Sequence, residues 1–173
     1  MANYKTLLKK IKAFVFDVDG VFTDGQVYLL PGEEFIRAVN IKDGYAIQHC
    51  IKMGFLVGII SGGRSEGIVK RFTKLGVTDI YLGSSSKLES YEDFRMKYQL
   101  TYDETLYMGD DLPDYEIMEK AGLSACPRDA AIEIKQIARY VSDKGGGQGC
   151  VRDVIEQVLR VQDKWMSKES FEW

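Results

Sequence analysis

The stretch Ala13-Phe14-Val15-Phe16-Asp17-Val18-Asp19-Gly20-Val21 joins an apolar run to two carboxylates one residue apart and then to a glycine. The run reads as a strand that ends at the acids, and Gly20 lets the chain turn away sharply there. If the strand continued, residues 17 and 19 would point to one face and residue 18 to the other, so both acids can converge on one ligand. That placement suggests a metal-assisted phosphate site. Read alone, the same residues also make an ordinary acidic turn, because Asp and Gly are common turn residues.

Short apolar, β-branched or aromatic runs recur at 55–60, 79–82, 106–108, 123–125 and 140–141. Helical spacing fills the intervals: Ala46, Ile47, Cys50 and Ile51 share one face, and Ile68, Val69, Phe72 and Leu75 share another. Gly54 and Gly76 follow as stop signals. Strand and helix therefore alternate, which implies an α/β fold with a doubly wound, Rossmann-like parallel sheet. Such sheets bind ligands beyond the carboxyl ends of their strands, at a switch in strand order, so the polar residues at those ends matter most.

Three segments stand outside the alternation. Residues 25–41 read as an inserted β-hairpin, with a strand from Gly25 to Leu30, a turn at Pro31-Gly32 and a return from Glu33 to Ile41. It carries Val27, Leu29, Phe35 and Val39, and a lone hairpin is marginally stable, so it must pack on a partner subunit or on its own core. Lys144-Gly145-Gly146-Gly147-Gln148-Gly149 is of low complexity and is expected to be mobile without ligand. The helix after it repeats Val151, Val154, Ile155, Val158 and Leu159 at amphipathic spacing and needs a surface to cover. The tail beyond Trp165 is expected to fray. His49 falls on a helix expected to start after Gly44, away from any strand end, and reads as structural.

With 173 residues, the chain most simply makes one domain over 1–173, large enough to bury a core without staples. Its net charge of −3 argues against a nucleic-acid partner, which needs a dense basic patch. Cys50, Cys126 and Cys150 match neither a disulfide set nor a zinc spacing and fit free thiols in a reducing cytosol. Residues 1–12 lack the apolar core of a signal peptide, and no segment has the length of a membrane span. A cytoplasmic protein with no membrane partner is expected.

At the strand ends the chain offers Asp17 and Asp19, then Ser61-Gly62-Gly63, then Lys87 at the start of a helix, then Gly109-Asp110-Asp111 with Asp114 close behind. Carboxylates hold a hard cation such as Mg2+, while a hydroxyl, backbone amides and a lysine suit phosphate oxygens. Ionised at neutral pH, Asp17 can attack phosphorus, and Asp19 can donate and then accept the proton. Each position has an ordinary alternative: a loop at 61–63, a solvated Lys87, and helix-capping acids at 110, 111 and 114. Their joint arrival at successive strand ends argues against independent accidents.

Together these residues resemble the haloacid dehalogenase superfamily of phosphotransferases, with Asp17-Val18-Asp19-Gly20, Ser61, Lys87 and Gly109-Asp110-Asp111 matching its four motifs in order. The resemblance implies a nucleophile at Asp17, an acid/base at Asp19, phosphate contacts at Ser61, Gly62 and Lys87, and Mg2+ on Asp17, the Asp19 carbonyl and Asp110, supported by Asp111 and Asp114. Only the hairpin and a short 62–86 connection could cover the site, so no cap domain is expected.

Over about residues 10–165 the resemblance extends to the phosphatases of keto-deoxy sugar acids that act on 3-deoxy-D-manno-octulosonate 8-phosphate (KDO 8-phosphate). It rests on residues 17–25, Asp43-Gly44, Gly109 to Leu112 and Gly145 to Arg152. It implies a phosphorylated keto-deoxy sugar acid as substrate, with a nine-carbon sugar 9-phosphate as the alternative. It further implies a homotetramer assembled through the hairpins, a glycine-rich tail closing over a neighbour's site, and Arg152 as a substrate contact. That family follows its second-motif Ser/Thr-Gly directly with Arg, whereas here Gly63 precedes Arg64, so Arg64 is a displaced candidate for substrate binding. A phospho-aspartate receiver module uses similar residues but places its acidic pair and acceptor in a different order, and a catalytically silent assembly subunit is a third possibility.

Overall fold

In a computed structural model that describes residues 4–29, 31, 35–166 and 168–171, the opening apolar run forms a central strand of a six-stranded parallel sheet. In chain order the elements are α1 (Tyr4–Leu8), β1 (Ala13–Phe16), β2 (Tyr28–Leu29), β3 (Phe35–Ile36), α2 (Ile41–Lys52), β4 (Leu56–Ser61), α3 (Glu66–Lys74) and β5 (Asp79–Leu82). They continue with α4 (Lys87–Lys97), β6 (Thr105–Met108), α5 (Tyr115–Lys120), β7 (Leu123–Cys126), α6 (Ile132–Ile137), β8 (Tyr140–Val141) and α7 (Cys150–Val161). The sheet order is β5-β4-β1-β6-β7-β8, and each of the six expected runs supplies one strand, with Phe55 left just before β4.

All four residues of β1 are buried because helices cover both faces of the sheet. Alternate residues serve opposite layers. Phe14 and Phe16 join Ile59, Leu106 and Met108 in a core with Ala46, Ile47 and Cys50 of α2 and the apolar stripe of α7. Ala13 and Val15 join Ile60 and Tyr107 in a second core with Phe94 of α4, Ile117 of α5 and Ile134 of α6. The three cysteines are free and buried.

Several expectations are corrected. α2 begins at Ile41, ahead of Gly44, because the Asn40 side chain accepts a hydrogen bond from Lys42 N at 2.8 Å and caps the helix. Val69, placed by its spacing on the inner face of α3, is 39% exposed. The C-terminal tail does not simply fray: a 3-10 turn at Lys168–Phe171 docks on α2, where Tyr45 OH donates to Ser170 O and Ser170 Oγ lies 3.2 Å from His49 Nε2. His49 is buried there, in edge contact with Trp165.

The hairpin is shorter than expected among the described residues, pairing Tyr28 with Ile36 and Leu29 with Phe35; Leu30, Gly32 and Glu33 lie outside them. Val39 packs on the main core, but Leu29 is 73% exposed and Val27, Tyr28, Phe35 and Ile36 are exposed as well. Val39 thus folds onto its own core, while the paired part of the ribbon leaves its apolar side chains exposed.

The glycine-rich segment is also not loose. Gly147 N donates to Val21 O at 2.9 Å, Gly146 N donates to Asp129 Oδ1 at 2.9 Å, and Asn40 Nδ2 donates to Gly147 O at 3.2 Å. It lies against its own chain's turn at residues 20–24, and a Cβ on Gly146 would stand 2.1 Å from Gly20 O. The glycines serve this close backbone approach. Gly146→Ala is expected to cost about 1–3 kcal/mol through overpacking, lowering Tm by about 2–12 °C for a chain of this size, as thermal denaturation would measure.

Candidate active site

Because β1 sits between β4 and β6, the chain builds outward in both directions from it, and a crevice opens at the carboxyl ends of these strands. A cleft of about 600 Å³ lies there, walled by Asp17, Asp19, Ser61, Gly62, Ser86 and Lys87 among others. That volume is within the usual range for small-ligand sites.

Each side chain has a local reason for its place. Asp17 N donates to Met108 O at 3.0 Å, carrying the β1–β6 pairing one residue past the strand. Lys87 opens α4 behind the N-cap Ser86. Its Nζ lies 2.9 Å from Asp17 Oδ2 and donates to Asp114 Oδ1 at 2.7 Å. Asp114 Oδ1 also accepts from Tyr107 OH at 2.6 Å, and Oδ2 accepts from Asp110 N at 3.1 Å and Asp111 N at 3.4 Å. Gly20 has φ +83°, and a Cβ there would stand 1.9 Å from Asp110 Oδ2. A side chain at position 20 would therefore displace the Asp110 carboxylate.

Carboxylate oxygens of Asp17, Asp110 and Asp114 lie within 4.8 Å of one another, a grouping able to hold a metal ion. Asp114 is the least available of the three, because both its oxygens already accept two donors each. It fixes Lys87 and the 110–111 backbone instead. Burial, then the charge of Asp114, pushes Asp17 up to about 8 despite Lys87. The same two causes push Asp110 up to about 7. Burial alone would lower Lys87, but Asp17 and Asp114 hold it above its ordinary value. Ionising all three carboxylates against one ammonium would leave an excess of two negative charges. A hard divalent cation between Asp17 and Asp110 would balance it, so the donor set fits such an ion.

Of the residues singled out in the sequence, the fold brings Asp17, Lys87, Asp110 and Asp114 together and sets Ser61 and Gly62 on the same cleft. Ser61 Oγ accepts from Gly63 N at 3.2 Å. Asp111 turns away, its Oδ1 accepting from Leu112 N at 2.8 Å as a cap. Asp19 borders the cleft, but both its oxygens are held by Arg37.

Arg64 is not on the cleft wall and lies against Gly83, where a Cβ would stand 2.3 Å from its Nε. Arg152 is farther off, on α7, with its guanidinium over the rings of Tyr45 and Trp165. Sequence reasoning missed Ser84, Ser85 and Ser86, which line the cleft. They follow β5, so the strand-end rule itself could have found them. Arg37 had no such signal, being one ordinary basic residue on the return of a hairpin.

A profile of haloacid dehalogenase-like hydrolases matches residues 71–152. The chain is 36% identical over 163 residues, 94% of its length and 87% of the relative's, to the 3-deoxy-D-manno-octulosonate 8-phosphate phosphatase KdsC of Escherichia coli (strain B / BL21-DE3). It superposes with a TM-score of 0.90 on the crystal structure of that phosphatase from Yersinia pestis, at 36% identity, covering 92% of this chain and 86% of that one. The enzyme from Moraxella catarrhalis, crystallised with magnesium, phosphate and KDO, gives a TM-score of 0.90 at 30% identity, covering 93% and 92%.

The raised carboxylates set a pH dependence with a definite sign. In the metal-free protein, Asp17 and Asp110 bind protons more tightly folded than unfolded. Their penalty is absent below the unfolded carboxylate range and grows as pH rises through about 7 and 8, so stability falls with pH. Between pH 6 and 8, Tm of the metal-free protein is expected to decline, and saturating divalent cation is expected to raise it most at pH 8. Differential scanning fluorimetry with and without the cation measures both.

Proposed function

Since this chain belongs to the haloacid dehalogenase-like hydrolases, we propose that it is a Mg2+-dependent phosphatase that hydrolyses KDO 8-phosphate to KDO and inorganic phosphate. The observation that carries the reading is the buried Asp17 carboxylate at the sheet's switch point, 2.9 Å from Lys87 Nζ and grouped with Asp110. Similarity to KDO 8-phosphate phosphatases over most of both chains supports the substrate.

In this mechanism Asp17 attacks phosphorus in line with the ester oxygen, and the bond to the sugar breaks. Asp19 donates its proton to the leaving alkoxide. Water then attacks the aspartyl-phosphate, giving its proton to Asp19 and releasing phosphate from Asp17. Lys87, the Ser61 hydroxyl and the Gly62 amide hold the phosphoryl oxygens and oppose their charge. Mg2+, held by the carboxylates of Asp17 and Asp110 and the carbonyl of Asp19, would neutralise the nucleophile and phosphate as they meet. Asp114 keeps Lys87 and the 110–111 backbone in place, and Asp111 caps the following turn.

The chain acts as one domain over 1–173, in the cytoplasm, where its buried thiols stay reduced. The exposed apolar ribbon of Tyr28, Leu29, Phe35 and Ile36 supports assembly into a homotetramer. Arg152, lying over Tyr45 and Trp165 in its own chain, would meet substrate only in a neighbouring copy. A nine-carbon keto-deoxy sugar 9-phosphate is the second reading.

Asp17→Asn is expected to abolish turnover, by a factor of about 10³ or more as is usual for a lost nucleophile, while the Tm of a folded protein persists. Wild-type hydrolysis by that variant would end the proposal. Comparing kcat/KM for phosphorylated eight- and nine-carbon keto-deoxy sugars decides the substrate, with the eight-carbon ester expected to lead.

A further inference from the structure

Asp19 is gripped by a residue that the mechanism above does not use. Arg37 Nε donates to Asp19 Oδ1 at 2.6 Å and Arg37 Nη2 donates to Oδ2 at 3.2 Å, a two-point pairing of guanidinium and carboxylate. The Arg37 side chain is 11% exposed and that of Asp19 38%, so the pair is buried on the arginine's side and open on the acid's. Arg37 comes from the return of the hairpin, immediately after β3, and not from any strand end of the main sheet.

The two residues face different spaces. Asp19 borders both the main cleft and a small adjoining cavity, whereas Arg37 borders only the adjoining one, with Gly63 and Ser65. Arg37 therefore reaches Asp19 from the side away from the phosphate cleft. Gly63 lies beside the pair, where a Cβ would make ordinary contact at 3.4 Å with both Arg37 Nη2 and Asp19 Oδ2.

We propose that Arg37 is a positioning residue for catalysis, fixing the Asp19 carboxylate at the mouth of the cleft so that one oxygen faces the leaving group. This rests on the reading of Asp19 as acid/base. The two contacts suit that role, because together they fix the plane of a carboxylate whose side chain stays 38% exposed at the cleft. Misplacing a reacting group by about 1 Å can cost about 10²-fold in rate, so an unanchored Asp19 would turn over slowly without weakening substrate binding.

The inference is tested by a double-mutant cycle on the full chain with Mg2+, assayed on KDO 8-phosphate. Arg37→Gln, which keeps much of the stem's packing, is expected to lower kcat by about 10- to 100-fold with KM within about threefold. Arg37→Lys is expected to recover part of the loss, because an ammonium makes one contact where the guanidinium makes two. In an Asp19→Asn background, Arg37→Gln is expected to change kcat by less than about twofold.

An equal loss in both backgrounds would overturn the inference, as would a raised KM with unchanged kcat, which would make Arg37 a direct substrate contact. If Asp19→Asn itself turns over like wild type, the reading of Asp19 fails. If Asp19→Asn is impaired but Arg37→Gln is not, only the role of Arg37 fails.

Discussion

The site is organised around the ammonium of Lys87, buried between the carboxylates of Asp17 and Asp114. Charges taken out of water are costly unless paired and fully hydrogen-bonded, and removing one partner of such a set typically costs about 3–5 kcal/mol. Asp114 meets that requirement with Lys87, Tyr107 and two backbone amides. Asp17 and Asp110 are instead held above the usual carboxylate range, and a cation between them would favour their charged forms.

That cluster requires segments far apart in sequence to end at one place. The parallel sheet supplies the convergence, since β1, β4 and β6 run side by side and finish together. The last part of the chain then braces the loop that follows β1. Gly147 N and Cys150 Sγ both donate to Val21 O, and Arg152 N donates to Asp43 Oδ1 at 2.7 Å where α7 begins beside α2. Burial pushes Asp43 up to about 6, although the amides of Arg152 and Gly149 oppose the shift. The glycines of 145–147 permit main chain to pack on main chain, so a segment whose composition suggests flexibility becomes a fixed support.

The readable parts of the sequence share one property: their signals are local. Asp17, Ser61 and Asp110 each follow an apolar run, Lys87 follows the N-cap Ser86, and the α7 stripe has helical spacing, so strand ends and helix faces could be found without contacts. The missed features depend on pairings across long separations. Arg37 meets Asp19 only because the hairpin folds back, and Ser170 meets His49 only because the tail crosses α2. Arg64 shows the same limit, since its place in the sequence does not reveal the turn that lays its side chain on Gly83.

The sequence by itself determined the alternation of strand and helix, the positions of the acids, and the chemistry that an Asp-x-Asp pair with a distant Ser, Lys and Asp can perform. These follow from side-chain type and from backbone periods of about 2 and 3.6 residues. Only the tertiary structure decided which carboxylate is free to hold a cation, which is consumed as a brace, and which is held by an arginine from another segment. Desolvation and hydrogen-bond satisfaction depend on what lies within a few ångströms in space, and that neighbourhood exists only once the chain has folded.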